Sequence, residues 1–311
     1  MSDGGSPLAD GIPEPWATAW GKDRHGLFME FRVGAVTHRL RWIPPGRFWM
    51  GSPEGEAGRF EWEGPRHEVE LTTGYWLGET PVTQALWEAV MGNNPSQFKG
   101  AERPVEQVSW EECMAFMEAL EGQVPGLGAR LPTEAEWERA CRGGTDGATW
   151  LGGNDEATLD AIAWWSGNSG NETHPVRLKA ANPYGLYDML GNVAEWCLDG
   201  QRTYGEALVR DPYGDLDGPR RVLRGGSWCW LARLVRAAYR DAIPPSSRVD
   251  DLGFRLARGQ GLRSSPVTQS VAAERPPART AGRGPGGAPV RDAPEPHDVS
   301  SPQTPPRRRS R

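Results

Sequence analysis

Apolar and polar side chains alternate in two stretches near the start of the chain. In HRLRWIPPGRFWMGS the apolar set is Leu40, Trp42, Phe48 and Met50, with Pro44-Pro45-Gly46 between the halves. A period of two marks strands with one buried face, and a Pro-Pro-Gly break marks a turn, so this pattern predicts a β-hairpin. HEVELTTGYWLGE repeats the alternation through Val69 and Leu71, then Tyr75 and Leu77. The period then lengthens to that of a helix, three times. Thr83 can cap a helix through Met91 that stops at Gly92. Ser109 with Glu112 forms a capping box for a helix carrying Trp110, Met114, Met117 and Leu120, ended by Gly122. Thr133 with Glu136 makes a second box, with Trp137, Ala140 and Cys141 on one face and Gly143-Gly144 as the stop. On these helices the pairs Glu111/Glu112 and Glu134/Glu138 read as solvated faces. His67, in an alternating strand, reads as a surface or half-buried residue. Beyond residue 145 the signals are turns: WLGGND, WSGNSGNE, NPYG and DPYGDLDGP. The fold class expected is α+β, with much irregular backbone.

Composition narrows this picture. The chain has 311 residues, with 15 Trp, 40 Gly and 28 Pro, which points to turns pinned by large aromatics. Mean hydropathy of −0.62 is low for a fully ordered chain. The low value traces to residues 261–311, rich in Pro, Gly, Ser and Arg, which cannot bury enough surface to offset chain entropy and are expected to be disordered. Residues 1–24 are expected to be flexible, leaving a globular unit over 25–260. A net charge of −6 gives no reason to expect nucleic acid as the general partner, the Arg-rich tail excepted. No secretory pattern and no apolar run of membrane-spanning length occurs, so a cytoplasmic protein with no membrane association is expected. Cys113, Cys141, Cys197 and Cys229 are scattered and read as reduced thiols.

Two segments carry candidate chemistry. In ANPYGLYDMLGNVAEWCLD, Asp188, Asn192 and Glu195 cluster around Gly191. Hard cations such as Ca²⁺ want such carboxylates, together with the carbonyls that a Gly turn exposes; a turn cap and a surface acid are the plainer alternative. The histidines lack metal-ligand spacing, and no nucleotide-binding or nucleophile-elbow motif occurs. The second segment, 221–258, opens with Gly-Gly-Ser-Trp and closes on Gly-Phe-Arg. Within it Leu231, Leu234, Val235, Ala238, Tyr239 and Ala242 have the spacing of a core-facing helix. The flanking Gly225-Gly226-Ser227 and Pro244-Pro245 limit such a helix to about four turns, and the arginines at 233, 236 and 240 wrap toward the same side. Helix and irregular loop both remain open on spacing.

Six phrases occur together and in order: IPPGRFWMGSPEGE, ETPVTQALWEAVMG, RPVEQVSWEEC, RLPTEAEWERACRGG, NPYGLYDMLGNVAEW and RVLRGGSW…GFR. Over about residues 40–257 they resemble the formylglycine-generating, sulfatase-modifying enzyme family. The resemblance implies a C-type-lectin-like fold, loop-rich, with short helices and small antiparallel sheets. It also implies that 229–243 runs as loop and short turns. Active members of that family carry two cysteines after the GGS turn, and the two thiolates bind Cu(I). The matching positions here are Trp230 and Val235, with Cys229 displaced by one residue, so neither copper nor formylglycine-forming activity is expected. The same resemblance assigns one structural Ca²⁺ to the side chains of Asp188 and Glu195 and the carbonyls of Gly191 and Val193.

The end of the segment is similar to a second group, the variable proteins of diversity-generating retroelements, which share this fold. Trp228, seven further residues, Arg236-Ala237-Ala238-Tyr239-Arg240, Pro245, Arg248 and Gly253-Phe254-Arg255 match their fixed frame. The resemblance implies a non-catalytic protein that binds a protein or other macromolecular ligand through residues between those fixed points. The candidates are Cys229, Trp230, Leu231, Arg233, Leu234, Tyr239, Asp241, Ala242, Ile243, Ser246, Ser247, Val249, Asp250 and Asp251. Trp230 and Tyr239 are the expected anchors; Arg233, Asp241 and Asp251 are the expected polar contacts. A metal-dependent oxidase is the alternative from the enzyme class.

Overall fold

The computed structural model describes residues 14–145 and 155–259. The expected disordered tail at 261–311 lies outside them. The expected flexible start does not hold for its described part. Strand β1 (Ala19–Asp23) pairs antiparallel with β2 (Gly26–Val33), and Trp16 is buried with the Arg258 guanidinium over its ring. The folded unit therefore begins before residue 25.

β3 (Val36–Ile43), β6 (Tyr75–Gly78) and β12 (Ala257–Arg258) complete a five-stranded sheet in the order β1-β2-β3-β6-β12. β4 (Gly46–Met50), β5 (His67–Leu71) and β8 (Val209–Arg210) form a second sheet. The Pro44-Pro45-Gly46 turn is thus a corner between two sheets, not a hairpin. The reason lies across the fold: the Pro44 carbonyl accepts two N–H bonds from Arg139 of a later helix, at 3.2 and 2.8 Å, which ties down the corner. A third sheet, in the order β10-β9-β7-β11, holds β7 (Ala194–Trp196), β9 (Arg221–Arg224), β10 (Arg240–Ile243) and β11 (Leu252–Gly253).

The helices start where the caps dictate. In α1 (Gln84–Met91) the Thr83 side chain accepts from Leu86 N, and Gly92 ends the helix in a left-handed conformation. α2 (Trp110–Gln123) and α3 (Glu134–Arg142) both begin with complete capping boxes. α2 runs one residue past Gly122 and buries Cys113, Phe116, Met117 and Leu120, leaving Trp110 and Met114 half-buried. α4 (Glu156–Ile162) is short. Two apolar clusters fill the unit. One is built around Trp76, Trp87, Phe116, Trp196 and Phe254, the other around Ile43, Tyr75, Trp137 and Leu190, and Trp230 packs against both. Among the described residues no helix is long and apolar enough to cross a membrane.

Candidate binding face

The Gly-Gly-Ser-Trp turn follows β9 and is fixed from several sides. Gly225 and Gly226 have φ of 95° and 69°, and a Cβ on Gly226 would lie 2.9 Å from the Val235 side chain, so only glycine fits. Asp251 gathers the turn: its Oδ2 accepts from Ser227 Oγ at 2.7 Å and from Trp230 Nε1 at 2.7 Å. Trp228 donates its indole N–H to the Asp250 carbonyl at 3.1 Å and its backbone N–H to the Asn192 carbonyl at 3.0 Å. After the turn comes a single 3-10 turn (Ala232–Leu234), not a long helix, and then β10.

What holds this segment is a set of buried ion pairs. Arg224, Arg236, Arg240 and Arg255 are among the largest fully buried side chains of the protein. Arg236 reaches the 53–63 loop, donating to Glu63 at 2.9 and 2.5 Å, to Glu56 at 2.6 Å and to the Gly58 carbonyl at 3.0 Å. Arg240 forms a two-pronged pair with Glu134, both bonds 2.6 Å, and lies over the Tyr204 ring. Arg224 bonds Glu138 and the Tyr239 carbonyl. Arg142 also bonds Glu138, at 2.9 and 2.7 Å. Burial alone would raise the Glu138 carboxyl, but Arg142 and Arg224 outweigh it and hold its pKa below the ordinary range.

Glu134 and Glu138 are therefore not solvated; both are fully buried. The spacing of Glu134, Glu138 and Arg142 along α3 places all three on one face, which was the available signal. His67 is also fully buried, its Nδ1 3.0 Å from the Pro65 carbonyl and its Nε2 3.0 Å from Arg202. Moving such charges out of water is costly, and fork-shaped guanidinium–carboxylate bonding offsets much of that cost while fixing one backbone path.

Of the candidate binding residues, Cys229, Leu231, Arg233, Asp241, Ser246 and Val249 are exposed. Trp230, Leu234, Ile243, Ser247, Asp250 and Asp251 are half-buried. Tyr239 and Ala242 are buried, which corrects the expectation for both. Ala242 faces inward on β10, whereas Asp241 on the same strand faces out. Tyr239 is not an exposed anchor, because it lies edge-on to Trp230 (5.5 Å) and to Phe60 (5.7 Å). Phe60 in turn stacks on the exposed Trp62 at 4.6 Å. The aromatic side chains flanking the segment thus include two from the 53–63 loop, which sequence reasoning missed. Asp251 is also corrected, from a free polar contact to the organiser of the turn. Asp241 is turned locally, its Oδ1 accepting from Ala242 N at 2.7 Å. Ser246 and Ser247 lie in a turn closed by Ser247 N on the Pro244 carbonyl.

The thiol chemistry is equally defined. Cys229 is an exposed residue, but its Sγ packs 3.3 Å from Ser227 Oγ and 3.4 Å from Asp251 Oδ2. Desolvation of the sulfur and then the Asp251 charge push the thiol up to about 12. Copper and nucleophilic chemistry need the thiolate, which this setting disfavours. Cys113, Cys141 and Cys197 are buried, and burial pushes their thiols up as well. Trp230, half-buried, and Val235, buried, stand at the positions that the resemblance assigns to the enzymes' paired cysteines.

Of the residues assigned to Ca²⁺, Glu195 does not fit that ion as it stands, because protein donors take both its oxygens. Glu195 accepts from Trp137 Nε1 and Arg255 Nε on Oε2, and from Arg255 Nη2 on Oε1, each at 2.7 Å. Asp188 accepts from Arg177 N at 2.9 Å and Asn192 Nδ2 at 3.2 Å. Among the described residues no group of three or more His, Cys, Asp or Glu could hold a metal ion. Gly191 and Val193 flank Asn192, which has φ 61°, in the same turn.

The Sulfatase-modifying factor enzyme 1-like domain matches residues 27–260. The chain belongs to that family. The formylglycine-generating enzyme of Streptomyces coelicolor is 34% identical over 296 residues, spanning 73% of this chain and 91% of that protein. The Bos taurus protein named inactive C-alpha-formylglycine-generating enzyme 2 is also 34% identical, over 202 residues and 60% of each chain. Identity alone therefore does not separate an enzyme from an inactive relative. Among solved structures, Treponema denticola variable protein 1 matches with a TM-score of 0.67 at 37% identity, covering 74% of this chain and 98% of that one. PvdO from Pseudomonas aeruginosa matches with a TM-score of 0.63 at 25% identity, covering 76% and 99%. The α+β, formylglycine-generating-enzyme-like fold and the relationship to a variable protein both stand.

Proposed function

We propose that this member of the sulfatase-modifying family is a non-catalytic binding protein of the retroelement-diversified type, which displays side chains from 229–251 to a macromolecular ligand. The observation that carries this reading is the interleaving of exposed and buried positions. Cys229, Leu231 and Arg233 stand out from the surface, the fully buried Arg236 and Arg240 follow, and Asp241, Ser246 and Val249 stand out again. Side chains can change at the exposed points while the guanidiniums keep the backbone in one shape, so ordering costs on binding stay low. The similarity to Treponema denticola variable protein 1 supports the reading.

The test is to randomise the six exposed positions in the displayed full chain and select against a purified protein such as lysozyme. Folded clones that bind, and that lose binding when the six positions revert, are the expected outcome. A library of unfolded clones overturns the proposal. The competing reading, a formylglycine-forming oxidase, draws on 34% identity across most of the Streptomyces coelicolor enzyme. Supplying Cu(I) and a cysteine-bearing peptide separates the two: aldehyde formation by the native chain would establish the oxidase.

A further inference from the structure

Of the oxygens that the resemblance assigns to Ca²⁺, the two of the Glu195 carboxylate are taken by a side chain. The Arg255 guanidinium donates to both oxygens of Glu195 at 2.7 Å, to the Tyr187 carbonyl at 3.0 Å, to the Asp188 carbonyl at 3.2 Å and to the Gly78 carbonyl at 2.9 Å. The guanidinium and the Glu195 carboxylate are both essentially solvent-free, at 0% and 1% exposure. Trp137, from α3, adds its indole N–H to the same carboxylate. Four segments distant in sequence therefore meet on one fixed positive charge: the end of β6, the metal-like turn with β7, α3, and the Gly-Phe-Arg closing the candidate binding segment.

We infer that Arg255 is the cation resident on Glu195 in this chain, where the resemblance would put Ca²⁺, and that the chain folds independently of Ca²⁺. The physical reason is electrostatic. A divalent ion on Glu195 would sit beside a guanidinium already in contact with both carboxylate oxygens, in a site from which water is excluded. Two positive centres a few ångströms apart there repel far more strongly than in water. Release of Arg255 would also strand up to five N–H donors in the interior.

Thermal unfolding of the purified full chain in excess EGTA and in millimolar CaCl₂, with metal content measured on the chain as purified, tests the inference. The expected result is the same midpoint in both solutions and no bound calcium. A site filled at about a thousand times its Kd would raise the midpoint by roughly 8–16 °C, and that shift, or one calcium per chain, overturns the inference. The variant Arg255→Lys keeps the charge and loses the fork. It is expected to melt several degrees below the native chain in EGTA. A lysine variant as stable as the native chain would remove the guanidinium from its assigned place. Arg255→Met frees the carboxylate, and recovery of its midpoint on adding CaCl₂ is the expected response. If this variant does not fold even with CaCl₂, the native-chain and lysine measurements still decide the matter.

Discussion

Replacing Arg236 with methionine removes one charge from the centre of the candidate binding segment and keeps most of the side-chain stem. The native guanidinium is 1% exposed and lies against Glu63 at 0% and Glu56 at 5%. It also closes its own turn, donating Nε to the Arg233 carbonyl at 2.6 Å. The variant leaves the Glu63 carboxyl without its guanidinium partner in a dry site. Breaking a buried pair from one side costs about 3–5 kcal/mol, which for a folded unit of this size lowers the melting midpoint by about 6–20 °C. Calorimetry or circular dichroism on heating reads that loss directly. A second variant isolates the cause. Arg236→Met with Glu63→Gln removes the guanidinium and its fully buried partner, leaving only Glu56 of the cluster, and should recover at least half of the loss, since neutral replacement of a buried pair is far cheaper than orphaning one side of it. A single variant within about 1 kcal/mol of native, or a double variant no better than the sum of its parts, would refute the claim that buried charge fixes this segment.

Other outcomes follow from the same physics. Because the Cys229 thiol is pushed up to about 12, its alkylation at pH 8 should run at least about a hundredfold slower than that of a free cysteine, read by mass spectrometry with iodoacetamide. A rate matching free cysteine would show an unshielded thiol. Burial, with help from Arg177 and Arg255, lowers His38 to about 3, so its contribution is full above the ordinary value near 6.5 and is lost as pH falls from there toward 3. His38→Gln should flatten the fall of stability with acid by up to about 1.4 kcal/mol per pH unit, measured by urea unfolding at several pH values. Asp199 works the other way. Burial and then Glu134 raise it to about 6, so its contribution is present below about 3.8 and is lost as pH rises through 6. Asp199→Asn should therefore steepen the acid loss between those values, and no change would contradict the assignment.

Much of this was legible in the chain. Caps at Thr83, Ser109 and Thr133 fixed the helix starts because capping is a contact between near neighbours in sequence. That Trp230 and Val235 stand where the resemblance puts two cysteines is likewise a short count from the Gly-Gly-Ser turn. What stayed hidden depended on contacts across the fold. Glu134 and Glu138 looked like surface acids until arginines from β9 and β10 were placed on them. Tyr239 looked like a binding anchor because nothing local announces Phe60, which lies far upstream and covers it. The Pro-Pro-Gly corner read as a hairpin, since an arginine on a later helix decides which way the chain leaves it. Glu195 matched a metal turn by sequence, and only the return of the chain to Arg255 shows its actual partner.

The central claim is that exposed positions in this segment can change freely because the frame beneath them does not. Changing Cys229, Leu231, Arg233, Asp241, Ser246 and Val249 to alanine in one variant, and measuring its melting midpoint beside that of the single Arg236→Met variant, tests this most directly. Surface substitutions rarely cost more than about 0.5 kcal/mol each and partly cancel, so the six together should cost less than the one buried charge. A sixfold variant that melts at or below the midpoint of Arg236→Met would contradict the account.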